Sequence, residues 1–134
     1  MKITTRKLEI FLIEEQIICV RPVIADAEFD VDDGRDMAHA FDALAGGKPF
    51  ASLLDIYETA ATVTSELRKF GAGKHYKSPQ AARAVLQNSL VHKLITNHFI
   101  NTFHPSVQTK FFDLKEKALD WLRGKLKEYE AGKE

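Results

Sequence analysis

Asp55 closes an apolar run, Phe50–Ile56, and Tyr57, Thr62, Thr64 and Ser65 follow it closely. A carboxylate, a phenol and three hydroxyls just beyond a strand can hold a phosphate. Asn88 and Ser89 follow another apolar segment and place a second polar pair at the same sheet edge. Open α/β sheets bind ligands at the carboxyl ends of their strands. Asp55, Tyr57, Thr62, Thr64, Ser65, Asn88 and Ser89 are therefore the candidate ligand- or partner-binding residues. The plainer reading is capping, because Asp, Thr, Asn and Ser are the usual residues at helix starts.

Other reactive side chains point away from catalysis. Of five histidines, His92, His98 and His104 are spaced by six. That spacing turns each about 240° from the last around a helix, so they do not converge like an i, i+4 zinc pair. The expectation is no metal and no cofactor. Lys69, Lys74, His75 and Lys77 surround Tyr76, but without a phosphate loop or nucleic-acid motif they read as a solvated segment. Cys19 is the single cysteine, which excludes an intramolecular disulfide, and no helix start lies beside it to activate the thiol. No nucleophile has a base at recognisable spacing. The chain is expected to have no catalytic residues and not to be an enzyme.

Composition sets the remaining bounds. The 134 residues carry 19 Lys+Arg and 19 Asp+Glu, so no net field favours nucleic acid or an anionic membrane. With 45% hydrophobic and 28% charged residues, the chain has the make-up of a soluble globular domain. One domain over residues 1–134, frayed from about Glu130, is the expected organisation. Glu9, Glu14 and Glu15 interrupt the first apolar run, so neither a signal peptide nor a membrane span is expected. The expected location is the cytoplasm.

The elements that must position these groups follow from periodicity. Leu8–Ile13 and Ile17–Val23 predict an antiparallel hairpin about Glu14-Glu15-Gln16. Asp30 predicts a helix cap, with Met37, Ala38, Phe41 and Leu44 facing inward and Gly46-Gly47 ending the helix. Phe50–Ile56 predicts a buried central strand. A short helix from Thr62 carries Val63, Leu67 and Phe70 to Gly71. Ala82–Leu86 predicts a strand, and Asn88 or Ser89 starts a helix that Pro105 closes. Val107–Phe112 is the last strand. Asp113-Leu114-Lys115-Glu116 has capping-box spacing ahead of a helix with Leu114, Ala118, Trp121, Leu122 and Leu126 inward.

The order β-β-α-β-α-β-α-β-α implies an α/β fold. Its sheet has five strands, mostly parallel with an antiparallel first strand, and its helices lie mainly on one face. Alternation then assigns Glu9, Arg21, Arg83 and Lys110 to a single face with Phe11, Ile13, Cys19, Val85 and Phe112. That face is expected to be half apolar, half charged and free of helices.

Several segments carry a family resemblance across nearly the whole chain. They are Leu53-Leu54-Asp55-Ile56, Ala84–Ser89, Asn97-His98-Phe99, Pro105, Thr109–Phe112 and Lys117–Leu122. Together they resemble the SpoIIAA-like, or STAS, superfamily, and most closely its bacterial STAS/SEC14-like domain proteins of uncharacterised function. In anti-sigma-factor antagonists of this fold, a serine in an Asp-Ser-Ser-Gly-like motif is phosphorylated. The matching region here, Thr59–Glu66, lacks that Asp and Gly but has hydroxyls, so the resemblance implies Thr62, Thr64 and Ser65 as the candidate phosphorylation sites. The resemblance implies a non-enzymatic regulatory or protein-interaction module, acting as a homodimer through the open sheet face or the edge around Asp55–Ser65. The alternative is a carrier of SEC14-like type for an apolar small molecule or lipid.

Overall fold

The structure, a computed structural model, describes residues 1–24, 27–57, 62–72, 76–88 and 107–132. Eight strands are seen: β1 (Lys2–Thr4), β2 (Leu8–Glu14), β3 (Ile17–Pro22), β4 (Glu28–Phe29), β5 (Phe50–Asp55), β6 (Thr62–Val63), β7 (Gln80–Leu86) and β8 (Thr109–Phe112). The helices are α1 (Val31–Ala45), α2 (Ser65–Ala72) and α3 (Lys115–Ala131). The helix predicted after Asn88 lies outside the described residues. So do Ser89, Lys74, His75 and the three evenly spaced histidines.

The main sheet has the order β1-β2-β3-β5-β7-β8. β1, β2 and β3 pair antiparallel, whereas β3, β5, β7 and β8 run parallel. This is the predicted mixed α/β fold with an antiparallel start, widened by a sixth strand. β1 is too short to show alternation in sequence. A separate parallel pair joins β4 to β6. Thr62 and Val63 are therefore strand rather than helix, and α2 begins at Ser65.

Local chemistry sets the helix ends. Asp30 accepts from the Asp33 amide at 3.2 Å, and Asp33 returns the bond from the Asp30 amide at 2.8 Å. This reciprocal cap satisfies two amides that have no partner within the helix. Asp33 is fully buried, and Lys7 reaches it at 2.9 Å, so the cap also ties α1 to the β1–β2 connection. Gly46 and Gly47, at φ +63° and +83°, supply the left-handed stop. Gly34 allows α2 to approach α1, because a Cβ there would stand 2.6 Å from Leu67 Cδ1. The capping box expected at Asp113 does not form. Leu114 occupies the N-cap of α3 and no side chain bonds to the cap. α3 stays helical through Ala131, beyond the predicted fraying point.

Both sheet faces are covered. Leu8, Ile10, Ile18, Val20 and Phe50 pack with Phe41 and Leu44 of α1 and Leu67 of α2. On the other face Ile17, Cys19, Ala51, Leu53, Ala82, Ala84 and Leu86 pack under Ala118, Leu119, Leu122 and Leu126 of α3. α1 and α2 lie within connections between successive parallel strands, and crossovers of one hand moving one way place them on a common face. α3 follows the last strand and returns to none, so no crossover constrains it. It covers the face that the sequence leaves open.

The alternation holds in β2, β3 and β8 but slips in β7. Phe11, Ile13, Cys19 and Phe112 all pack into the α3-side cluster, where Lys110 lies 5.4 Å from the Phe112 ring. Ala82, Ala84 and Leu86 share that cluster, so Arg83 and Val85 face the α1 side. There Arg83 bonds Tyr76, and burial lowers the pKa of its guanidinium. The remaining charges predicted for the α3 face are Glu9 and Arg21, with Lys2 at 3.2 Å from Glu9. They form an ion pair at 2.7 Å, with the Arg21 guanidinium 4.9 Å from the Phe11 ring centre.

Candidate functional site

Four parallel strands end together at Pro22, Asp55, Leu86 and Phe112. An open cleft of about 640 Å³ forms beyond them. This is the carboxyl edge at which open α/β sheets bind ligands. Leu86 and Pro22 contribute apolar lining from the strand ends, and Val23, Ile24 and Leu114 add larger apolar groups. Val23 is 47% exposed, Ile24 49% and Leu114 52%, so three large apolar side chains meet solvent at one cleft. Scattered exposed apolar residues are ordinary, whereas a cluster in a concavity marks a contact surface.

Charge surrounds this apolar centre with both signs. Arg21 and Lys115 bring two cations, Asp55 and Asp113 two carboxylates, and Tyr57 a phenol. Asp55 accepts from the Tyr57 amide at 3.3 Å, a local turn that holds the tyrosine beyond the strand end. Arg21 is anchored by Glu9, whose carboxyl pKa is lowered by hydrogen bonds from Lys2 and Arg21. Among the described residues neither Asp113 nor Lys115 has an ion-pair partner. The uncapped start of α3 lies beside them.

Cys19 lies one turn of the alternation below Arg21 and is 1% exposed. Burial first and the nearby Asp55 carboxylate second raise its thiol pKa to about 11. At neutral pH it is a protonated packing group and no nucleophile, as the sequence implies. No group of three or more His, Cys, Asp or Glu able to hold a metal occurs among the described residues. No described helix is long and apolar enough to cross a membrane.

The structure divides the sequence-predicted candidates. Asp55 and Tyr57 line the cleft. Thr62, Thr64 and Ser65 are not among its lining residues. Thr62 donates its amide to Ala27, and the Thr64 hydroxyl accepts from the Leu67 amide at 3.1 Å, so Thr64 is a helix cap. Ser65 opens α2 in an exposed position, and Asn88 is exposed just after β7. Residues that sequence reasoning assigned elsewhere complete the cleft. Val23 was a strand end there, Leu114 part of an inward stripe, and Asp113 and Lys115 parts of a cap. The available signal was the run Pro22-Val23-Ile24, where large apolar residues outlast the strand that would bury them.

The model of a domain of unknown function, DUF7793, matches residues 11–126. The chain belongs to the DUF7793 family. The matched span takes in every strand of the DUF7793 core from within β2 to β8 and most of α3. Among solved structures, this DUF7793 domain is similar to an uncharacterized protein of the DUF3478 family from Shewanella loihica PV-4. That protein is described as having a SpoIIAA-like fold. The TM-score is 0.59 at 19% identity, over 91% of this chain and 98% of the other. The similarity establishes the SpoIIAA-like fold that the sequence resembles. No curated protein matches the chain.

Proposed function

We propose that this domain is a non-enzymatic protein-interaction module that engages its partner through the cleft at the carboxyl edge of the sheet. The observation that carries the reading is the cluster of exposed Val23, Ile24 and Leu114 within a rim of Arg21, Lys115, Asp55 and Asp113. An apolar centre inside a polar rim is the usual anatomy of a specific protein contact. The thiol nearest the cleft is buried and held protonated, which favours binding over covalent chemistry there. A regulatory role follows if the partner is a signalling protein.

Capture from cells that make the protein tests this, comparing wild type with Leu114→Asp. A charge in the apolar centre is expected to reduce partner recovery at least about tenfold, the usual scale for a central contact residue. Equal recovery by both forms contradicts the proposal. So does native mass spectrometry that finds a lipid-sized adduct and no protein, because that is the behaviour of a carrier.

A further inference from the structure

We propose that the occupant of this cleft is a second copy of the same chain, docked about a two-fold axis at Leu114 so that Asp113 of each copy meets Lys115 of the other. This rests on reading the cleft as a protein-binding surface and names its partner. In a two-fold contact the same patch appears on both sides, so residue i meets j and j meets i. Only a patch that complements itself can form one.

The triplet Asp113-Leu114-Lys115 has that property. An apolar residue, 52% exposed, stands between an anion and a cation. Antiparallel apposition about Leu114 places 113 against 115 twice while the two leucines meet at the axis. Asp113 and Lys115 form no ion pair among the described residues, so docking breaks no existing bridge. The surrounding charges repeat the balance, with Arg21 and Lys115 against Asp55 and Asp113. A copy therefore meets neither net repulsion from the patch nor from the chain, whose formal charge is zero. Exposed Val23 and Ile24 provide further apolar area beside the axis.

Charge reversal tests the pairing directly. Asp113→Lys, Lys115→Asp and the double variant are compared with wild type by sedimentation equilibrium. Circular dichroism confirms that each variant is folded. Wild type is expected to dimerise within about 10 µM to 1 mM, the range of modest protein contacts. Each single reversal sets like charges together twice and is expected to weaken the dimer at least about tenfold. The double reversal restores opposite charges at both contacts and is expected to recover wild-type association. A wild type that stays monomeric throughout overturns the inference, as does a dimer indifferent to the single reversals, or singles that the double fails to rescue. If wild type is monomeric but capture from cells still depends on Leu114, the cleft binds a different protein. The interaction reading then stands and the self-pairing alone fails.

Discussion

The two faces of the sheet solve the same packing problem with different side chains. Beneath α1 the sheet presents Ile10, Ile18, Val20 and Phe50, and the Phe41 and Phe50 rings meet at 4.9 Å with Tyr76 against both. Beneath α3 it presents Ala51, Ala82 and Ala84 among Ile17, Leu53 and Leu86, met by Ala118, Leu119, Leu122 and Leu126 of the helix. Large interlocking groups fill the first layer, whereas small ones allow the second helix to sit close to the strands. One face is therefore most sensitive to losing volume and the other to gaining it. The helix on the small-residue face starts at the cleft, so its close seating also fixes where Leu114 and Lys115 lie.

The largest effect that would break this contrast is truncation on the α1 side. Phe50→Ala removes a fully buried ring that contacts two other aromatics, and the expected loss is about 3–5 kcal/mol. Denaturant unfolding measures it, and a loss below about 1 kcal/mol would show that this layer collapses freely. The reciprocal change on the other side is Ala84→Leu. Ala84 is fully buried under α3, and the added methylenes are expected to cost about 1–3 kcal/mol. A stabilising Ala84→Leu would mean that α3 is loosely seated.

Why the sequence conveyed one face better than the other follows from the same contrast. In β2, β3 and β8 the pattern of apolar and charged residues assigns the faces, and Phe11, Cys19, Lys110 and Phe112 share one face as predicted. In β7 the alternating small residues are alanines, which carry little hydrophobic signal. The charge of Arg83 then suggests open solvent, when its side chain is half-buried on the α1 side and bonds Tyr76. Asp30, Gly46 and Gly47 are legible because caps and stops depend on local bonds and dihedrals, whereas the return bond from Asp33 is seen only in the structure. Asp55 and Tyr57 are legible because the ends of parallel strands follow from topology. Val23, Ile24, Leu114 and Lys115 join the site only once α3 is set on the second face, which no local pattern specifies.

A smaller effect is expected from the thiol buried on the α3 face. The Cys19 thiol pKa is raised by burial from an ordinary value of 9.0 to about 11. A raised thiol contributes stability in full below the unfolded value and loses it as pH rises through the folded one. Wild type is therefore expected to lose stability across about pH 9 to 11 more steeply than Cys19→Ala, and thiol reagents are expected to react slowly at pH 8 until denaturant is added. Parallel pH profiles for the two proteins would show that Cys19 is better solvated than its packing implies.

A contact surface confined to the cleft is tested by comparing two places on the molecule. A photo-crosslinking amino acid is installed at Leu114 in the cleft, or at Leu12, an exposed leucine of β2 outside it. Irradiation in cells that make the protein is then followed by mass analysis. The account predicts a protein adduct from position 114 and none from position 12, with twice the chain mass marking a second copy. Equal adducts from both positions, or an adduct from position 12 alone, would contradict it.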